Sequence, residues 1–226
     1  MPIPRSVDDD KSLTPAHEDY VKAIYLLHAR GVEVTNSALA SQLKVAPASA
    51  TNMVRKLSEL GLVTYEPYQS IALTPAGEIV ALEVLRHHRL LELYLHDKLN
   101  LPWELVHDEA ERLEHVLSEA LEDAIAEALG NPTFDPHGDP IPTKDGRIEQ
   151  VEGAALSDAE LNRPYTIVRV LLQDPERLIY LGALQLYPNA TVTVRKRAPF
   201  DGPLLIEVDG EHHALAHDLA ATIIVK

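Results

Sequence analysis

The strongest constraint on the fold is a tight succession of helix starts and stops between residues 14 and 73. Thr14-Pro15-Ala16 reads as an N-cap followed by proline at the first helical position. Tyr20, Ile24 and Leu27 then follow helical spacing, with Val21, Ala23 and Leu26 broadening the stripe, until Gly31 stops the helix. A short helix follows Thr35, from Ser37 to Leu43. The turn Lys44-Val45-Ala46 leads to Pro47, which opens a third helix reaching Glu59 and Leu60, with Gly61 at its end. Two β-prone stretches, residues 62–66 and 70–73, flank Pro67-Tyr68-Gln69. Helix, helix, short turn, helix and hairpin is the order of a winged helix-turn-helix. The polar residues ahead of Thr14 are expected to fray.

Thr74-Pro75 starts another helix, reaching about Leu99, and Leu101-Pro102 restarts helix to about Leu117. Ser118 caps a further one that ends at Leu129-Gly130. The stretch NPTFDPHGDPIPTKDG is a loop or linker. Beyond it, residues 165–172, 191–196, 204–208 and 222–225 alternate in strand style between Pro-Asn, Asp-Gly-Pro and Asp-Gly turns, which predicts a small β-barrel. The fold class is therefore mainly α with small β parts. No apolar run approaches the roughly 20 residues of a membrane span, the start lacks a signal-peptide core, and no membrane partner is expected. With no cysteine, disulfides and thiolate metal sites are excluded; a cytoplasmic setting is compatible.

A net charge of −15 argues at first against nucleic acid. The charge is uneven, however. Residues 1–74 carry 7 basic and 8 acidic side chains, residues 75–150 carry 6 and 17, and residues 151–226 carry 7 and 10. The excess sits in the middle third, together with six of the 11 histidines, and the helix-turn-helix head is nearly neutral.

In a helix-turn-helix the N-terminal part of the second helix enters the major groove, where short polar side chains reach base edges. The chain offers Ser49, Thr51 and Asn52 there, with Arg55 and Lys56 one turn later for phosphates. Asn can bond adenine bidentately, whereas Ser and Thr discriminate less. Tyr68 and Gln69, at the hairpin tip, are placed to touch the adjacent backbone. The same fold also serves protein contacts, but the lack of any acid before Glu59 in this helix favours double-stranded DNA. Dimerisation would supply two half-site readers for a palindromic operator.

Residues 105–117 read LVHDEAERLEHVL. On a helix His107, Glu111, Glu114 and His115 share one face, beside an apolar face of Val106, Ala110, Leu113 and Leu117 expected to pack inward. His88 and Glu92, on the preceding helix, are again i and i+4. Like charges on a partly buried face repel unless a divalent cation or bases compensate them. A solvated acidic face is the bland alternative for either helix alone; the two faces together favour a metal. Carboxylates and imidazoles without thiolates suit Mn²⁺ or Fe²⁺, although Zn²⁺, Co²⁺, Ni²⁺ and Cd²⁺ also bind such sets. ERLEH only approaches the H-x-x-E-H metalloprotease pattern, and no nucleophile elbow or phosphate-binding glycine loop occurs, so no enzyme is expected.

With HEDYVKAIYLL, APASATNMVRKLSELGLV, HHRLLELYL, LVHDEAERLEHVLS, DPHGDPIP and LAHDLAATIIV in view, the chain resembles the diphtheria toxin repressor family of metal-dependent transcriptional regulators, over nearly its whole length. The resemblance implies a homodimer with a winged helix (residues 1–74), a helical metal-binding and dimerisation domain with linker (75–153), and an SH3-like, FeoA-like domain (154–226). It implies one metal site from Asp19, Glu111, Glu114 and His115, and another from His88, Glu92 and His107, completed by Asp174 or Glu176. Carboxylates at Asp19 and Glu111, where the iron-responsive branch has methionine and cysteine, resemble the manganese-responsive type. Short manganese regulators carry a glutamate where this chain has Lys22, a departure that bears on paired-metal geometry. His212, His213 and His217 read as surface loop histidines. The function implied is repression of manganese or iron uptake genes when the ion is abundant. A winged-helix regulator sensing an organic ligand and a metal-dependent hydrolase are the rivals.

Overall fold

Thr14 has an extended backbone and its side chain accepts from the His17 amide, while its own amide donates to His17 Nδ1 at 3.1 Å. This reciprocal cap, with Pro15 next, starts α1 (Pro15–Ala29) where its residue types require. The computed structural model describes residues 13–65 and 70–226. Residues 1–12, with the expected frayed start, and Tyr68 and Gln69 lie outside them. The chain divides into two units, Met1–His87 with Pro142–Arg147, and His88–Ile141 with Ile148–Lys226.

In the first unit, α2 (Asn36–Gln42) is capped by Thr35 and α3 (Pro47–Glu59) opens on its proline. β1 (Val63–Thr64) and β2 (Ala72–Leu73) pair antiparallel, a shorter ladder than the two β-prone stretches predict. α4 (Pro75–Asp97) follows, and the division between the units falls within it. Tyr20, Val21, Ile24 and Leu27 of α1 meet Leu39 of α2, Val54 and Leu57 of α3, and Ile71, Val80 and Val84 in one core. α3 buries Ala50, Val54 and Leu57, which leaves its opposite face to solvent.

In the second unit, the rest of α4 packs Leu90 and Leu91 against Ala110 of α5 (Val106–Leu113), Leu117, and Ile125 and Ala126 of α6 (Glu119–Ala128). The β part has strand order β3-β8-β4-β5-β6-β7, with every pair antiparallel: β3 (Ala154–Ala155), β4 (Pro164–Val170), β5 (Thr191–Arg197), β6 (Leu204–Val208), β7 (Glu211–Leu215) and β8 (Ile223–Val225). α7 (Pro175–Ala183) and the single turn α8 (His217–Ala220) complete it.

Four expectations need correction. The sheet is not a closed barrel: among the described residues β3 pairs only with β8 and β7 only with β6, so both are edges. Leu178 and Leu181 of α7 fill the core instead of a closing strand pair. The helix expected from Pro102 begins at Val106, because the turn before it buries Trp103 in the core of the β part. That helix also ends early: Glu114–Val116 is a 3₁₀ turn, and Leu113, expected to pack inward, is 39% exposed. His212 and His213 lie on β7 rather than in a loop, with Asp209 and Gly210 both at positive φ supplying the hairpin turn. α7 was legible in principle, since Asp174-Pro175 is an N-cap and first-turn proline.

Candidate metal centre

α4 presents His88 and Glu92 one turn apart, both buried, and α5 brings His107 to them. His88 Nε2 lies 3.0 Å from Glu92 Oε1 and 3.0 Å from His107 Nδ1, and His107 Nδ1 lies 3.1 Å from Glu92 Oε1. Three potential ligand atoms thus form a near-equilateral triangle. Its sides match the edge of about 3 Å expected when donors sit about 2.1 Å from an octahedral ion. The other nitrogen of His88, Nδ1, is 2.6 Å from Glu114 Oε2 and 3.9 Å from Glu111 Oε1. Glu114 is 1% exposed because the 3₁₀ turn directs it inward; His115 Nε2 stands 3.4 Å from its Oε1.

The second carboxylate oxygen of Glu92 faces a further group. The loop carrying DPHGDPIP is pinned by Asp135, whose Oδ1 accepts from the amides of His137 at 2.8 Å and Asp139 at 2.9 Å. His137 is fully buried, and its Nε2 donates to the Trp103 carbonyl at 2.9 Å. A carbonyl can only accept, so Nε2 carries the proton and the lone pair of the neutral ring is on Nδ1. That Nδ1 lies 3.9 Å from Glu92 Oε2. Glu92 Oε2, Asp135 Oδ2 and His137 Nδ1 are all buried without a hydrogen-bond partner, and one donor atom from each of these three residues falls within 4.8 Å of the others. Glu92 Oε2 and His137 Nδ1, which face each other without a hydrogen bond, are what a bound cation would satisfy.

The electrostatics agree. Burial disfavours charge on Glu92, but His88, His107 and His137 outweigh it and hold the carboxyl well below the usual range. Burial, together with the charges of Asp139 and Glu92, pushes Asp135 well up, against the pull of His137 and Arg89. His137 is likewise opposed by burial, yet Glu92 and Asp135 raise it to about 9. The pocket therefore holds an excess of negative charge that a proton on His137 or a cation can balance. Every donor is a nitrogen or oxygen, and the chain has no cysteine, so the set fits a hard-to-borderline divalent ion.

The sequence groups His88, Glu92 and His107, and the structure brings these together, with Glu111 and Glu114 next to His88. Asp19 is half-buried on α1 in the first unit. Asp174 and Glu176 are exposed, and Asp174 is occupied as the N-cap of α7, accepting from the Arg177 amide at 3.0 Å. Neither belongs to any cation-competent group of His, Asp and Glu among the described residues. Asp135 and His137 are not among the ligand candidates that the sequence offers, yet they form a cation-competent group with Glu92. Their signal was Asp-Pro-His in an otherwise Pro/Gly-rich loop, but nothing local says which helix such a loop packs against. On α3, Ser49, Asn52, Arg55 and Lys56 are exposed, whereas Thr51 is half-buried with its hydroxyl donating to the Pro47 carbonyl at 3.0 Å.

Comparison with known proteins agrees with this architecture. Residues 12–71 match the iron dependent repressor N-terminal DNA binding domain, and residues 74–143 match the iron dependent repressor metal binding and dimerisation domain. Residues 154–226 match the FeoA domain. The iron-dependent repressor IdeR of Mycobacterium tuberculosis is 32% identical, over 95% of this chain and 98% of its own. The diphtheria toxin repressor of Corynebacterium diphtheriae is 29% identical over 96% and 99%. A solved manganese-dependent transcriptional repressor in complex with manganese superposes with a TM-score of 0.85 at 34% identity, covering 92% of this chain and 98% of that one. Relatives of this kind are repressors, which points away from catalysis. The chain belongs to the iron-dependent repressor, or diphtheria toxin repressor, family of metal-dependent transcriptional regulators.

Proposed function

We propose that the chain is a homodimeric repressor of manganese or iron uptake genes, activated by Mn²⁺ and secondarily by Fe²⁺, that acts in the cytoplasm on a palindromic operator and has no catalytic activity. Zn²⁺, Co²⁺, Ni²⁺ and Cd²⁺ would occupy the same donors in vitro. The observation that carries the reading is the convergence of buried His88, Glu92 and Glu114 with half-buried His107 and Glu111 in one thiolate-free set. Asp135 and His137 extend that set through the second oxygen of Glu92. Asp19 and His115 are carried as proposed ligands from the resemblance, and Asp174 and Glu176 as weaker ones. Ser49, Thr51, Asn52, Arg55 and Lys56 are proposed to contact DNA, with Tyr68 and Gln69 from the hairpin. The domain divisions near residues 74 and 153 belong to the same reading.

A divalent ion supplies two positive charges to an acidic pocket, and an ion that binds one conformation more tightly shifts the protein toward it. If that conformation is the one competent for DNA, metal and operator affinities are linked. The test is anisotropy of a duplex operator selected from a random library, with Mn²⁺, with Fe²⁺ under anaerobic conditions, and with chelator. Chelator should abolish specific binding. His107→Ala and Glu114→Gln should each raise the Mn²⁺ concentration needed by at least about 10-fold, the loss typical even of outer-shell partners of a metal. Unchanged Mn²⁺-dependent binding in both variants would sink the reading. Chelator-insensitive binding would favour a regulator sensing an organic ligand, and metal-dependent ester turnover would revive a hydrolase.

A further inference from the structure

Asp139, two residues beyond His137, is 5% exposed and lies between two arginines. Arg89 of α4 donates to it at 3.3 Å and also to the Pro140 carbonyl, and Arg89 Nε stands 3.9 Å from Asp135 Oδ2. From the other side Arg169, on β4, pairs with the same Asp139 carboxylate. One buried carboxylate thus ties the helix that carries His88 and Glu92 to the first long strand of the β part.

Three further contacts converge on this seam. The amide of Val170, next to Arg169, donates to the His137 carbonyl at 2.8 Å. Gly138 has φ +83, and a Cβ there would overlap the Val168 carbonyl and crowd Arg169 Cα, so loop and strand backbones touch. Trp103, whose carbonyl orients His137, stacks on that imidazole at 5.5 Å and tilts against Tyr187 of the β part at 4.8 Å between ring centroids. The side chains facing the pocket and those seating the β part are therefore neighbours in one loop, with opposite faces.

We propose that Arg169 is a positioning residue for the Glu92–Asp135–His137 pocket, and that through it cation binding and the seating of the β part on the helical part are coupled. The proposal rests on the metal-sensing reading given above. Arg169 touches none of the three pocket residues' ligand atoms. It holds Asp139, and with it the loop, against β4, leaving Arg89 free to face Asp135. Without Arg169, Arg89 alone faces two buried carboxylates and the loop loses its charged anchor to the strand. A cation that orders Asp135 and His137 would, reciprocally, tighten the seam.

The experiment uses the full-length chain, with Arg169→Gln and Arg169→Lys as variants. Arg169 is partly exposed, so both variants should fold, and the lysine retains the charge while losing the fork. The first readout needs no metal: amide hydrogen exchange at Val170 in the metal-free protein, which should accelerate at least about 10-fold in the glutamine variant and less in the lysine variant. The second is a Mn²⁺ titration followed by fluorescence of Trp103, the single tryptophan, which paramagnetic Mn²⁺ in the adjacent pocket should quench. Arg169→Gln should need about 10-fold more Mn²⁺, with partial recovery in Arg169→Lys. Wild-type protection at Val170 and an unchanged Mn²⁺ midpoint in the glutamine variant would overturn the proposal while leaving the metal reading intact. A wild-type protein whose fluorescence ignores Mn²⁺ would overturn the metal reading, and the coupling with it.

Discussion

Glu92 shows how much chemistry a single side chain can carry once buried. Its Oε1 meets His88 and His107, and its Oε2 faces His137. Glu92→Gln should therefore weaken both groups at once, where His107→Ala or Asp135→Asn weakens one. Equilibrium dialysis with elemental analysis should show a larger loss of bound Mn²⁺ in Glu92→Gln than in either other variant; equal losses in all three would argue against a shared carboxylate. Gly138 is the matching case for backbone. Both its positive φ and the strand against it forbid a side chain, so Gly138→Ala should destabilise by more than about 1 kcal/mol in urea unfolding. The pairing of His88 with Glu92 was legible because i and i+4 spacing is a local property of a helix. The roles of Asp135 and His137 were not, because a loop's partners are set by what it packs against, and Gly138 declares only that something comes close.

At the scale of elements, the caps and first-turn prolines of the sequence coincide with the helix starts. Thr14, Thr35, Pro47, Ser118 and the α4 start at Pro75 stand where the helices begin. The errors came where tertiary burial overrode local signals: Trp103 delays α5, and the 3₁₀ turn at Glu114–Val116 turns Glu114 inward. Asp174 offers a clean discrimination at this scale. As the N-cap of α7, its replacement by alanine should cost about 1 kcal/mol of stability, and as a proposed ligand it should also lower Mn²⁺ affinity. Unchanged Mn²⁺ affinity measured by calorimetry would leave it the helix cap alone. On α3, Asn52→Ala should lose about 1–3 kcal/mol of binding on the selected operator but little on random duplex. Arg55→Ala and Lys56→Ala should weaken binding on both and reduce the log–log salt slope by about 1 each.

For the whole molecule, a net charge of −15 looked like an objection to DNA binding, but the acidic excess falls in the segment that matches the metal binding and dimerisation domain and carries the proposed donors. If Mn²⁺ binds the native state alone, a concentration about 100 times its Kd should add about 2.7 kcal/mol of stability. For a chain of this size that is a rise of roughly 5–10 °C in Tm, reversed by chelator, and readable by scanning fluorimetry. No shift would count against a preformed native site. The order of elements up to α6, the helix caps, the hard donor set and the polar face of α3 were determined by the sequence alone, because each rests mainly on local signals along the chain. Only the tertiary structure decided that the C-terminal sheet stays open, that Asp135 and His137 face the second oxygen of Glu92, and that Arg169 closes on Asp139. Those contacts join segments separated by 30 or more residues, whose meeting depends on packing and the burial of charge.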